Sequence, residues 1–248
     1  MRKKFERYPK LIQINASGHA ELVKEVFKTI PKRYDFLNHF LSLWQDILWR
    51  RFTIKQARLA GKKRLLDVAT GTGDLAIYAV RENPELQVIG LDFSPEMLAL
   101  CNRKIRAQGL SDKVQLLQGD ALALPFPDNS FAALTIGFGI RNIPDKLQAL
   151  KEMQRVVMPG GRVLVLEMGL PASRIFCFFY SLYLKHLIPL IARLFSPNPE
   201  AYYYLADSIR HFPKPQDFQE LLLQAGLKNI QTHALTFGIT YLFMGVAR

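Results

Sequence analysis

Cysteine is nearly missing from this sequence of 248 residues, with Cys101 and Cys177 the two present. Two cannot build a disulfide framework, and neither has a histidine or a second cysteine at ligand spacing, so a reducing compartment and no structural zinc are expected. Uninterrupted apolar runs are also lacking. The most apolar stretch, 175–195, has the length of a membrane span, but Lys185, His186, Pro189 and Arg193 fall near and beyond its middle, where charge is too costly for a simple spanning helix. No secretory signal is expected, because Met1-Arg2-Lys3-Lys4-Phe5 leads into mixed polar sequence rather than an apolar segment; the expected location is the cytoplasm. Neither glycine (15 residues) nor proline (14) is in excess, and 49% of the residues are hydrophobic, which excludes collagen-like, low-complexity and disordered classes. The chain is long enough to bury a sizeable core, and a single domain spanning 1–248 is expected.

Acid is scarce at one end. Residues 1–64 carry 16 Lys+Arg against 5 Asp+Glu, a net of +11, and the remainder carries 17 against 16, a net of +1. A local basic field suits an anionic membrane surface, a nucleic acid or an acidic partner, and equally describes a solvated face with no partner.

From Arg64 onward, strand-like runs at 64–69, 86–91, 113–118, 131–137 and 162–168 alternate with helical segments at 75–81, 95–108 and 146–157. That alternation predicts an α/β fold with a parallel sheet built from βαβ units. Ser94 and Asp145 are suited to N-capping the second and third helices, and Pro159-Gly160-Gly161 reads as a turn feeding the fifth strand. Two closing runs, 227–235 and 239–247, are separated only by Thr236-Phe237-Gly238 and predict an antiparallel pair at the sheet edge. Outside the alternation lie a basic helical extension, 1–60, and a helical insertion, 172–213. An insertion between the fifth strand and the edge pair belongs over the carboxyl ends of the strands, as a substrate lid.

The sharpest motif is Leu65-Leu66-Asp67-Val68-Ala69-Thr70-Gly71-Thr72-Gly73-Asp74-Leu75: a strand ending in an acid, a glycine turn, then a helix. Glycines there let backbone N–H groups approach a ligand, and the helix N-terminus adds its positive end. The spacing alone also satisfies a dinucleotide fingerprint. Asp92 ends the next strand 19 residues after Gly73, where a ribose diol is gripped, and Asp120 in Gln118-Gly119-Asp120-Ala121 ends the third, where an adenine amino group could be met. A nicotinamide site has no special need of that third acid.

These residues, with Leu124-Pro125-Phe126-Pro127-Asp128-Asn129-Ser130-Phe131, resemble the S-adenosylmethionine-dependent methyltransferases of Rossmann-like type. Tyr34-Asp35-Phe36-Leu37-Asn38, Leu48-Trp49-Arg50, Gly137-Phe138-Gly139-Ile140-Arg141-Asn142 and Tyr202–Arg210 are similar to the quinone-biosynthesis C-methyltransferases, over a span from about Lys24 to the C-terminus. The resemblance implies a mostly parallel seven-stranded sheet with an antiparallel edge strand and helices on both faces. It implies S-adenosyl-L-methionine as cofactor and no metal, with Thr72, Asp92, Asp120 and Ala121 as contacts and Asp67, Gly71 and Gly73 lining the loop. It also implies methylation of demethylmenaquinol to menaquinol or, in some members, of 2-polyprenyl-6-methoxy-1,4-benzoquinol. Two departures stand out: Gly137 where some members have Ser, and Thr70 where many have Gly.

A quinol ring carbon becomes nucleophilic when the neighbouring hydroxyl ionises, which for a free phenol happens near pH ~10. Arg141, permanently charged and just past the fourth strand, suits the stabilisation of that phenolate, or a salt bridge holding its own loop. For the proton acceptor Tyr34 ranks first, with Asp35, Tyr204, His211 or an Arg141-oriented water as alternatives. Asn38, Trp49, Asn142, Tyr204 and Arg210 could position the ring, or hold the N-terminal helices to the sheet. The isoprenoid tail of such an acceptor implies peripheral contact with an anionic membrane surface, through the basic N-terminal region and the 175–195 segment. Two rivals are weaker. A nicotinamide oxidoreductase would want a Tyr-x-x-x-Lys pair, and Tyr180 is followed by Leu184, Tyr34 by Asn38. A nucleic-acid partner would want stacking aromatics on the basic face, and those from Tyr34 on coincide with the quinone-family block, so none is expected. Nothing in the sequence speaks to oligomeric state.

Overall fold

The computed structural model describes residues 39–59, 61, 64–188, 190 and 200–248. Seven strands form one sheet: β1 (Arg64–Val68), β2 (Gln87–Asp92), β3 (Val114–Gln118), β4 (Phe131–Gly137), β5 (Val157–Met168), β6 (Lys228–Leu235) and β7 (Thr240–Val246). Their order is β3-β2-β1-β4-β5-β7-β6. β1 through β5 pair in parallel, and β7 runs antiparallel to both β5 and β6. The expected antiparallel edge strand therefore stands one place in from the edge, with β6 outermost.

Strands buried on both faces read as continuous apolar runs, and alternate residues then face opposite layers. Leu65, Leu164 and Leu166 pack on one face beneath helices α1 (Gln45–Gln56), α2 (Asp74–Glu82) and α3 (Pro95–Ala107). Leu66, Val163 and Val165 pack on the other, against α4 (Lys146–Val156) and α7 (Pro215–Gln224). A third, smaller cluster joins α5 (Arg174–Leu182) and its π-helical continuation Tyr183–Leu187 to α6 (Glu200–Arg210) through Tyr180, Leu184, Tyr204 and Ile209.

The helix starts behave as their sequences dictate. Ser94 Oγ accepts the Met97 N–H at the head of α3, and Asp145 Oδ1 accepts the Gln148 N–H at the head of α4. The Pro159-Gly160-Gly161 segment differs from its reading as a turn before a strand. Val157 already pairs with Phe131, the chain bulges over 158–161, and pairing resumes at Arg162 opposite Ala133. The bulge is held by Gly160 N–H to Ala247 O (3.1 Å) and Ala247 N–H to Gly161 O (2.9 Å). Among the described residues no helix is long and apolar enough to cross a membrane.

β1 is the turning point of the sheet. The chain winds outward from it to β3, then returns to its other side as β4, so the loops after β1 and β4 diverge and leave a crevice at the carboxyl ends. At the far side, Phe218 of α7 is fully buried between Phe212 (5.0 Å between centroids) and Phe243 (4.7 Å). Phe218→Ala is expected to cost about 3–5 kcal/mol, the usual loss for emptying a buried ring site. Urea unfolding should show a lowered midpoint at unchanged slope.

Candidate active site

The crevice holds a cavity of about 750 Å³, walled by the segments that follow β1, β2, β3 and β4 and closed over by the turn before α1, α5 and α6. After β1 the chain turns through Ala69, Gly71 and Gly73, all at positive φ (51°, 57° and 85°). Gly73 is required twice over: a Cβ there would sit 2.4 Å from Cys101 Sγ, and its φ is one that side chains avoid. Thr70 stands between Ala69 and Gly71 in this turn. Its buried hydroxyl donates to Asp67 Oδ2 (2.6 Å), while Thr135 donates to Asp67 Oδ1 (2.7 Å). At Gly137 a Cβ would lie 2.5 Å from Leu75 Cδ1, which marks the close approach of α2 to β4.

The strand-terminal acids behave differently from one another. Asp67 is buried, and burial pushes its carboxyl up to about 6 against the two hydroxyl bonds. Asp92, also buried, accepts N–H bonds from Gly71 (2.7 Å) and Ser94 (2.9 Å), yet burial still raises it above the usual carboxylate range. Asp120 is exposed at the cavity wall and accepts the Leu122 N–H (2.9 Å). The glycine turn at Gly71, where a Cβ would meet nothing within 4 Å, opens beside Thr72, Asp92, Asp120 and Ala121 on one wall. Open backbone at a helix start together with acids closing successive strands along the sheet edge fits the donor and acceptor pattern of an adenosyl group.

The opposite wall is built around Arg141. Its guanidinium pairs with Glu167, its backbone N–H reaches Glu167 Oε2 (3.2 Å), and Glu167 also accepts the Met168 N–H (2.8 Å). Glu167 is wholly buried at the end of β5. Beside Arg141, the Tyr204 hydroxyl donates to Asn142 Oδ1 (3.0 Å), and burial pushes Tyr204 up to about 12, so it stays protonated at neutral pH. The upward shift makes Tyr204 a poorer proton acceptor than a tyrosine at its ordinary value. Trp49 is buried on the same cavity, its indole N–H donating to Thr236 Oγ1 (2.9 Å). Arg210 does not join them; it is exposed and bonds Ser181 O (3.2 Å), tying α6 to α5. His211 is likewise exposed, held to Asp207 O. Tyr34, Asp35 and Asn38 lie outside the described residues.

Three charged residues at the site were missed by the sequence reading. Glu167 ends a strand in an acid just as Asp67 and Asp92 do, and that recurrence was the available signal. Asp46, buried in a region poor in acid, accepts Ser42 Oγ (2.7 Å), lies 2.6 Å from His39 Nδ1 and pairs with Arg50. Arg50 reaches on to Asp74 (3.6 Å), which Lys104 also pairs; burial opposes ionisation of Asp74, but the two cations hold it below its ordinary value. His39, Asp46 and Asp74 thus bring ligand atoms within 4.8 Å of one another, with Arg50 bridging both carboxylates.

The strand order and the acid-lined carboxyl edge define a Rossmann-like methyltransferase. Solved structures agree on the fold. The phosphoethanolamine N-methyltransferase 2 of Haemonchus contortus, in complex with S-adenosyl-L-methionine, aligns at a TM-score of 0.56 and 18% identity over 75% of this chain and 48% of its own. A putative methyltransferase complexed with the Haloferax volcanii Trm112 activator aligns at 0.60 and 20% over 84% and 93%. The chain belongs to the ubiE/COQ5 methyltransferase family, whose profile matches residues 15–247, and it is an S-adenosylmethionine-dependent methyltransferase of the quinone-biosynthesis type. It is 43% identical over 226 residues to the ubiquinone/menaquinone biosynthesis C-methyltransferase UbiE of Geotalea daltonii, covering 91% of this chain and 96% of that one. It is 43% identical over 228 residues to the demethylmenaquinone methyltransferase of Deinococcus radiodurans, covering 92% and 93%.

The buried carboxyl of Asp67 gives a pH signature. Its folded pKa stands above the unfolded value of 3.8, so between roughly pH 4 and 6 the folded state holds an extra proton, and this group's contribution to stability falls as pH rises. Asp67→Asn should therefore gain on the native protein by about 3 kcal/mol between pH 4 and 7.5, two units at 1.36 kcal/mol each. Parallel stability curves in urea titrations across that window would show that Asp67 does not titrate in this way.

Proposed function

We propose that this chain methylates demethylmenaquinol at a ring carbon to give menaquinol. The observation that carries the reading is one cavity of about 750 Å³ that joins an acid-lined nucleotide wall to a polar Arg141–Asn142–Tyr204 corner, with room for a fused quinol ring beside the nucleotide. The relatives' names, demethylmenaquinone methyltransferase among them, support that substrate. When bound, S-adenosyl-L-methionine supplies an electrophilic methyl on a sulfonium, and Thr72, Asp92, Asp120 and Ala121, with Gly71 and Gly73 at the turn, would hold it.

The chain's own work is to make the ring carbon nucleophilic and to keep water out. Arg141 offsets the charge of the ionised quinol hydroxyl and lowers the cost of reaching it at neutral pH. Glu167 fixes the guanidinium in place, and Tyr204, held neutral, donates to Asn142 and so presents it to the ring. Tyr34 is the proposed proton acceptor, with an Arg141-oriented water as the alternative. Trp49 and Phe138, with rings 6.2 Å apart, wall the site against solvent. Arg210, exposed and bonded to Ser181 O, keeps no role that the cavity supports, and Asn38 remains a proposed ring contact. Because the acceptor carries an isoprenoid tail, the enzyme works in peripheral contact with an anionic membrane surface, and the basic residues of 1–64 supply the attraction.

Labelled methyl transfer to chemically reduced prenylated demethylnaphthoquinol and to the methoxybenzoquinol, run side by side, tests the substrate. Transfer to both would make the enzyme shared between two quinone routes, a reading favoured by relatives named for both. Transfer to neither with the cofactor bound would discard the proposal. Arg141→Lys keeps a counter-charge for Glu167 but loses the planar fork, and kcat should fall about 10²-fold with cofactor affinity held. Flotation with anionic liposomes should weaken as salt rises; equal flotation at low and high salt would remove the electrostatic component.

A further inference from the structure

Around the cavity mouth, large apolar side chains face outward. Leu43 is 74% exposed and Phe237 71% exposed, with Phe176 and Phe179 exposed between them, and all four also line the cavity. They come from three distant segments: the turn before α1, the 3-10 turn between β6 and β7, and α5. The Phe176 and Phe237 rings stack at 4.8 Å, 8° from parallel. On α5 the apolar surface continues outward through Ile175, 70% exposed, and Phe178, while Trp44 stands exposed beside Leu43.

Two features say what this rim meets. Leu43, Trp44 and Phe237 have φ of 50°, 59° and 58°, a left-handed backbone that their side chains disfavour, so the fold holds apolar groups outward against local preference. The flank along α5 and its continuation is cationic: among the described residues 168–188 there is no Asp or Glu, and Arg174 and Lys185 are exposed there. Exposed apolar groups flanked by cations along α5 complement the edge of an anionic leaflet.

We propose that this rim inserts into the interface of an anionic bilayer and that the cavity opens laterally into lipid between α5, the Leu43–Trp44 turn and Phe237. A protein seated here, including a second copy of the chain, would cap the mouth by which an apolar ligand enters. The passenger, a tailed quinol, rests on the function proposed above, whereas the inserting surface does not.

Trp44 and Trp49 are the two tryptophans, and Trp49 is buried, so intrinsic fluorescence reports the rim. With mixed phosphatidylglycerol/phosphatidylcholine vesicles free of quinone, brominated acyl chains should quench about half of the full-length protein's emission, an effect lost in Trp44→Phe. Ile175→Ser combined with Phe178→Ser, both outside the cavity wall, should lower vesicle partition at least about tenfold with cofactor affinity unchanged. Absence of quenching in the native protein, or equal partition of the double variant, overturns the proposal. So does self-association that the double variant abolishes while vesicles leave Trp44 unquenched. Quenching as expected, with no methyl transfer to any prenylated quinol, would uphold the surface and refute only the substrate.

Discussion

The Asp92 carboxylate holds the site together. One oxygen accepts the Gly71 N–H from the loop after β1 and the other accepts the Ser94 N–H from the loop after β2. Ser94 in turn caps α3, so strand, acid, cap and helix form one hydrogen-bonded series. A parallel sheet leaves unpaired backbone groups at its carboxyl edge, and an acid ending the strand is a compact way to satisfy them. An ionised carboxylate has about four lone-pair sites, so the backbone donors Gly71, Ser94 and Phe93 still leave Asp92 capacity to accept from a ribose hydroxyl. Burial opposes the ionised form that this coupling needs, which is why the amide donors matter.

The Arg141–Glu167 pair follows the same economy with a higher desolvation cost. A buried ion pair is weak evidence of stability, since removing both ions from water consumes most of their attraction. Its value lies in placement. Glu167 is anchored by the Met168 N–H and by the Arg141 backbone as well as by the guanidinium, so the positive charge cannot swing away from the cavity. The tyrosine beside it is held neutral by the same burial. One low-dielectric wall therefore keeps a fixed cation and a fixed neutral donor side by side.

The alternation of apolar runs with helical segments made the order of the elements legible, because burial on both faces imposes continuous runs that few other structures need. Ser94 and Asp145 as caps were equally readable, since capping is a local matter. The Pro159-Gly160-Gly161 bulge was not: a bulge and a turn use the same residues, and only the partner strand, through Ala132 and Ala247, separates them. Asp67, Asp92 and Asp120 were found by their place at strand ends. Glu167 and Asp46 escaped because their importance lies in partners distant in sequence or hidden within a helix start. Arg210 was placed at the site by its neighbours in a family block, yet residues of one helix face different ways: Tyr204 turns inward and Arg210 outward.

Backbone strain is concentrated at the site. Among the described non-glycine residues at positive φ, Asn129 and Asn229 are of the type that tolerates a left-handed backbone, and they lie away from the cavity. Of the other seven, Leu43, Ala69, Phe138, Thr236 and Phe237 line it, Trp44 follows Leu43 at the mouth, and Arg58 (φ 49°) lies off the cavity wall. Thr236, β-branched at φ 42°, accepts the Trp49 indole N–H and so converts its strain into a fixed cavity wall. Ala69 holds the glycine turn, Phe138 packs against Trp49 beneath Arg50, and Leu43 and Phe237 face outward at the mouth. Arg58 apart, sequence and fold agree where the molecule is only scaffold, and they conflict where the cavity needs a turn, a wall or an opening that local preference would not supply.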